Sequence, residues 1–362
     1  MSMKKKIMII VFSTIIWGDN VFAQDPSFSQ FFSSPLNVNP ALTANINSKW
    51  RVITNYRNQW IGPGNPYETG TVSFDNKIFM DHVGNYVDEI TRVGIGGMMM
   101  YDRTLAGALK STYASFNVTG NIRLVGKPGD ELNGYRIRHI SKIKMDEAPE
   151  QRIGVGLGVI YGHRRLDPSK LTFEDQFVGN GFDTNLPTGE AAFSNMKPYI
   201  STSAGIIYTN KTWKNNFELG VSAFHVNKPK QSFLDDDNQY LAKRYVVHSN
   251  FETIIANTYI LSTNGIYQYQ SGASYFSVGG ALGYEFSDYH TDMMINAGLW
   301  YWSKNAIIPY VGFTYGRFQV GLSYDITISK LADARVRPHT VELCMIFRGD
   351  GKPSGIIPAP WK

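Results

Sequence analysis

The chain is poor in the features that mark most enzymes and helical membrane proteins. It has one cysteine, Cys344, among 362 residues, so no intrachain disulfide can staple it, and a nucleophilic role for that thiol would need an activating partner that the sequence does not identify. No eighteen consecutive apolar residues occur, so no segment reads as a spanning helix. The seven histidines are scattered without metal-ligand spacing, and a G-x-S-x-G nucleophile element is absent. Glycines in "GVGLG" alternate within a strand pattern with no helix after them, unlike a dinucleotide-binding turn. The formal charge is only +5, a weak footing for nucleic acid. We therefore expect no catalysis, no cofactor, no metal site and no nucleic-acid partner. Asp235, Asp236 and Asp237 would suit a hard cation, but they lack calcium-loop spacing and read as a solvated loop.

What the chain does have is aromatics, glycine and alternation: 21 Tyr, 21 Phe, 7 Trp and 34 Gly. Such usage suits strands better than helix bundles. From Phe318 the sequence reads F-Q-V-G-L-S-Y-D-I-T, with Phe318, Val320, Leu322, Tyr324 and Ile326 on one face and Gln319, Gly321, Ser323 and Asp325 on the other. Ile153, Val155, Leu157, Val159 and Tyr161 repeat this opposite Gly154, Gly156 and Gly158, as do Val341, Leu343, Met345 and Phe347. One such strand fits a soluble sandwich, with its apolar face on a second sheet, or a barrel, with that face in lipid.

The whole chain favours the barrel. Residues 1–23 carry Lys4, Lys5 and Lys6, a short apolar run and Val21-Phe22-Ala23, the pattern of a cleavable export signal. Its removal would leave a charge of about +3, from three Lys and one Asp lost. Alternation then predicts fourteen strands, at about 49–57, 70–78, 92–101, 111–123, 152–163, 198–210, 215–225, 243–256, 258–270, 274–287, 291–303, 306–315, 317–327 and 338–348. An even count of strands of this length is what a transmembrane antiparallel β-barrel needs. If the first strand runs outward, the outer connections are longer on the whole. The inner segment 124–151 is the exception, and its many charges read as a solvated excursion. Trp50, Tyr56, Trp60, Trp300, Tyr301, Trp302, Tyr310 and Tyr315 lie near strand ends and suggest interfacial girdles. The inward faces read as Gly, Ser, Thr and Asn with few charges. Val320→Arg or Leu322→Arg should then cost about 2–4 kcal/mol near the bilayer midplane, while Gly321→Ser and Ser323→Asn should be milder.

Residues 24–48 precede the first strand and so are expected to begin on the periplasmic side. Pro26, Pro35 and Pro40 deny them regular structure, yet Phe28, Phe31, Phe32 and Leu36 would be costly to leave in water. The segment must dock, either as a plug or inner-rim element or as part of a binding surface. Residues 349–362 form a Pro-rich tail beyond the last strand, expected in the periplasm.

The stretch "DPSFSQFFSSPLNVNPALTAN", "YRNQW" at Tyr56 to Trp60, "RRLDPSKL", "VGLSYDITIS" and "PHTVELCMIFR" together resemble the PorP/SprF family, outer-membrane proteins associated with the type IX secretion system of Bacteroidetes. The resemblance runs from Gln24 to about Arg348. It implies an outer-membrane barrel, not an enzyme, that binds secreted clients and helps export or anchor them at the cell surface. The implied clients are large adhesins whose C-terminal domains stay uncleaved, with gliding motility as the best-known setting. Its implied partners are lipid, the client and other secretion components. Candidate client-binding or plug residues are Phe28, Gln30, Asn37, Asn39 and Pro40, with Tyr56 and the expected outer-loop residues Arg57, Gln59 and Trp60. The competing readings are a passive or hydrophobic-solute channel and a soluble sandwich.

Overall fold

A computed structural model describes residues 25–62, 65–80, 91–104, 107–125, 149–187, 197–212, 214–231, 239–256, 258–286, 293–333 and 335–349. The expected signal, the Asp235–Asp237 cluster, most of the 124–151 excursion and the tail from 350 lie outside these residues. Fourteen strands form a closed barrel in sequence order: β1 Trp50–Ile61, β2 Tyr67–Met80, β3 Thr91–Thr104, β4 Leu109–Val125, β5 Glu150–Leu166, β6 Tyr199–Lys211, β7 Asn215–Phe224, β8 Arg244–Ala256, β9 Tyr259–Gln270, β10 Ala273–Glu285, β11 Met293–Trp302, β12 Ala306–Tyr315, β13 Phe318–Thr327 and β14 His339–Gly349. Every neighbouring pair is antiparallel, and β14 closes on β1 from Trp50↔Gly349 to Asn58↔Val341. Closure leaves no strand edge unpaired, the condition for a sheet to cross hydrocarbon.

Alternation sorts the two faces as the sequence implies. In β13, Phe318, Leu322, Tyr324 and Ile326 are exposed while Gln319, Gly321, Ser323 and Asp325 are buried. In β5, Val155, Leu157 and Val159 point out, and Gly154, Gly156 and Gly158 point in. No helix among the described residues is long and apolar enough to cross a membrane; the wall crosses with strands. The mouth where β1 begins, here the near mouth, has tight connections such as that between β12 and β13. The far mouth carries the long 167–198 and 225–243 connections.

Three expectations change. Trp300, Trp302 and Tyr310 are not girdle residues: they point inward and are buried at 1%, 8% and 3% exposure, whereas Tyr301 and Tyr315 face out. The lumen is not sparsely charged: Arg51, Arg57, Asp75, Arg152, Glu218, Arg244, Glu252, Asp325, Glu342 and Arg348 are all buried. Nor does β1 stop at residue 57. It pairs with β2 as far as Gln59↔Tyr67 and reaches Ile61↔His339 on the β14 side after a register shift. One cause underlies the first two. Residues 25–48 fill the lumen, so the inner face packs against protein and must answer its polar groups.

Candidate functional site: a plugged lumen beneath an open vestibule

The N-terminal segment runs the length of the barrel. Asp25 lies at the far mouth, where its N–H donates to Gln270 (2.9 Å) at the end of β9, and Lys49 donates to the Gly349 carbonyl at the near mouth. The segment thus starts at the mouth opposite the start of β1, not beside it as its place in the chain led us to expect. Its prolines allow only single helical turns: Phe31–Ser33, Pro35–Val38 and Pro40–Leu42. Pro35 and Pro40 sit at first helical positions, where a missing N–H costs nothing.

Such short turns leave most backbone groups without partners, and buried backbone groups must find them. Barrel side chains supply them. The Glu342 carboxylate accepts from the N–H groups of Ser29 (2.7 Å) and Gln30 (3.0 Å), and Asp75 accepts from Ala44 N–H (2.8 Å). Asn55 donates to the Ser33 carbonyl (3.0 Å), Arg244 to that of Asn37 (2.9 Å) and Ser222 to that of Val38 (2.6 Å). Arg57 donates to the Ser27 carbonyl. Asp75 is itself held by Arg51 in a two-point pair (2.7 and 3.1 Å), so neither buried charge stands alone.

The candidate residues separate into groups. Phe28 packs with Leu36, Met98 and Met100 in a buried cluster. Gln30 donates to Ser323 and to the Glu342 carbonyl, both at 3.0 Å. Asn37 donates to the Pro26 carbonyl (3.2 Å). Asn39, fully buried, caps the turn at Ala41 N–H (2.9 Å) and lies 3.0 Å from His248 Nε2. Pro40 and Ala41 pass so close to Gly156 that a Cβ there would overlap their backbone. That glycine therefore serves the plug, which the sequence could not reveal. Tyr56 faces outward, 45% exposed, and joins no luminal contact.

Arg57, Gln59 and Trp60 belong to β1, not to an outer loop, because cross-strand pairing continues past them. Arg57 pairs with Asp325 (3.3 Å) and lies 5.0 Å from the Trp302 ring centre. Around Asp25, His225 approaches to 2.7 Å and Arg244 to 3.3 Å. Burial alone would raise the Asp25 carboxyl; the neighbouring His225 and Arg244 outweigh it and hold its pKa below the usual carboxylate range.

Above the plug the far mouth opens into a cavity of about 870 Å³. Asp25, Pro26 and Ser27 lie along it, with Arg57, Gln59, Trp60 and Tyr67 on one side and Tyr275, Trp302, Lys304 and Lys330 among the other lining residues. Sequence reasoning missed Asp325 and Glu342 as plug contacts. Their signal was a carboxylate at an inward position of a strand, a costly placement unless something inside needs it. Among the described residues no group of three or more His, Cys, Asp or Glu is arranged to hold a metal.

No curated protein matches the chain. Among solved structures it is similar to the toluene transporter TbuX of Ralstonia pickettii, at 10% identity over 88% of this chain and 94% of that one, TM-score 0.44. It is similar to the toluene transporter TodX of Pseudomonas putida at 9% identity, 90% and 98% coverage, TM-score 0.45. CdiB from Escherichia coli follows at 11% identity, 82% and 63% coverage, TM-score 0.41. Residues 20–347 match the type IX secretion system membrane protein PorP/SprF family. That span takes in the plug with its F-S-Q and N-P elements, the Y-R-N-Q-W end of β1 and the closing strand β14 nearly to its end, and the chain belongs to the PorP/SprF family.

Proposed function

We propose that this barrel binds secreted client proteins of the type IX system, large adhesins with uncleaved C-terminal domains among them, and helps them reach or stay at the cell surface. Gliding motility is one setting for such clients. In this reading residues 1–23 are a cleaved leader, the barrel sits in the outer membrane with its far mouth outward, and 349–362 trail into the periplasm. The observation that carries it is the occupied lumen. A solute channel needs a path through the barrel, whereas here buried side chains of residues 28–46 fill the passage and the large cavity lies at one mouth. A closed barrel with an open, aromatic-lined mouth suits docking better than conduction.

Purification of the native barrel under mild detergent, followed by mass spectrometry of what accompanies it, tests this. A large adhesin should co-purify, and its surface display should fall when the gene is deleted. Steady single-channel conductance by the intact barrel, with adhesin display unaffected by the deletion, would overturn it.

A further inference from the structure

The vestibule differs in chemistry from the lumen beneath it. Trp60 adopts φ +63, a left-handed conformation that is uncommon for a bulky residue. It sits where the β1–β14 register shifts. Such bulges re-aim side chains, and here Trp60 lines the cavity and lies against Tyr67, ring centres 4.9 Å apart. A second aromatic pair, Tyr275 and Trp302 (5.1 Å), also lines the cavity.

The charges of the cavity are unequally committed. Asp25 is engaged by His225 and Arg244, Asp102 accepts from Thr69 at 2.7 Å, and Arg57 is paired with Asp325. Lys304 and Lys330 are exposed, and neither has a hydrogen-bond or ion-pair partner among the described residues. The Thr69 hydroxyl leaves the charge of Asp102 in place, so outside these ion pairs two lysines face one carboxylate across this space, and the balance is positive. Its volume, about 870 Å³, lies within the range of specific ligand pockets, about 300–1,000 Å³. Exchange with the plug is not required: Phe28, Phe31, Leu36 and Val38 are buried below it and hold the floor in place.

Resting on the client-binding reading above, we infer that the vestibule takes an extended acidic peptide stretch of the client, its carboxylates on Lys304 and Lys330 and its aromatic side chains against the Trp60–Tyr67 and Tyr275–Trp302 pairs. A neutral glycan would use the aromatic walls but leave both lysines unanswered, which is why a peptide with carboxylates is favoured.

The test uses the full-length barrel in detergent and fluorescein-labelled peptides of alternating Asp-Phe, Lys-Phe and Asp-Ala, read by anisotropy. The Asp-Phe peptide should bind, weaken with added salt, and exceed both others. Combined Lys304→Glu and Lys330→Glu should lower its affinity by about tenfold, since two exposed pairs are lost and two repulsions gained, and should favour the Lys-Phe peptide. Trp60→Ala should narrow the gap between Asp-Phe and Asp-Ala. Unchanged heat-modifiable gel mobility of each variant shows that the barrel still folds. Equal binding of Asp-Phe and Lys-Phe, no response to the lysine reversal, or binding of a sulfated oligosaccharide with none of the peptides would each overturn the inference. Adhesin display in cells keeps the two readings apart. If the peptides fail to bind but display still depends on the barrel, only this inference falls. If the peptides bind as expected but gene deletion leaves display intact, it is the client reading that fails.

Discussion

The lower lumen and the far-mouth vestibule are built from the same strands, yet one is committed and the other free. In the lower lumen the inward carboxylates and guanidinium groups are spent on the plug: Glu342 on two backbone N–H groups, Asp75 on a third. In the vestibule Lys304 and Lys330 are exposed, and an aromatic is held in a strained backbone with its ring at the cavity. A buried polar group without a partner is costly, so the barrel's inward charges are part of its stability where the plug lies. At the mouth, water can serve the lysines, and their presence has no such structural reason.

The sharpest way to break this comparison is to remove the plug. Deleting Phe28–Pro40 while keeping residues 1–27 discards the buried Phe28, Phe31, Leu36 and Val38, each worth about 1.5–3 kcal/mol, and strands the carboxylate of Glu342. The barrel should lose heat-resistant gel mobility and vanish from the outer membrane. A truncated barrel that stays heat-resistant while adhesin display is lost would instead make the segment part of the surface that binds the client.

Next in size is Arg57→Ala, which leaves Asp325 buried without its cation and uncovers Trp302. Breaking a buried pair from one side costs about 3–5 kcal/mol, read as a lower denaturant midpoint. Lys304→Ala should shift that midpoint by less than about 0.5 kcal/mol, as for ordinary surface sites. Similar losses at both positions would erase the distinction between committed and free charge.

On the outer face, Leu322→Arg should cost about 2–4 kcal/mol near the midplane. The occupied lumen revises the expectation for its inward neighbours. A Cβ at Gly321 would come 2.8 Å from the Tyr310 ring, and Ser323 is bonded to Gln30, so Gly321→Ser and Ser323→Asn should cost about 1–3 kcal/mol through overpacking. Folding titrations in lipid vesicles would show whether the two faces are now comparably sensitive.

The smallest effect concerns acid. The Asp25 carboxyl has a folded pKa below its unfolded value, so its contribution is complete above the unfolded value of about 3.9 and is lost as pH falls through the folded one. Hydrogen exchange at Asp25 and Ser27, taken relative to the intrinsic rate, should therefore quicken as pH falls below about 4. Asp25→Asn should show that quickening already at neutral pH.

Much was legible without coordinates. Period-two alternation with an apolar face gave strand number, facing and most boundaries to within two residues, because a side chain's side of a sheet depends only on its parity along the strand. The prolines together with Phe28, Phe31, Phe32 and Leu36 marked a segment that had to dock. Boundaries failed at the far mouth, where β2 starts at Tyr67 and β3 and β5 run on to Thr104 and Leu166, and most of all at β1, where a bulge carries pairing past Arg57 to Ile61, since a single extra residue leaves no mark in an alternation already ending. Trp300, Trp302 and Tyr310 were misread because an aromatic near a strand end suits an interface and a packed lumen equally well. Only their partners, Phe32 at 4.8 Å from Trp300 and 5.6 Å from Tyr310 and Arg57 at 5.0 Å from the Trp302 ring centre, distinguish the two.

The sequence by itself therefore determined a fourteen-strand wall with lipid outside, because that outcome follows from local periodicity. What filled the wall was decided by tertiary structure alone. The contacts Glu342–Ser29, Asp75–Ala44 and Gly156–Pro40 join residues far apart in the chain, and no local pattern states which inward residue will meet which turn of the plug. The vestibule exists for the same reason, as the part of the lumen that the segment's length and path leave unfilled.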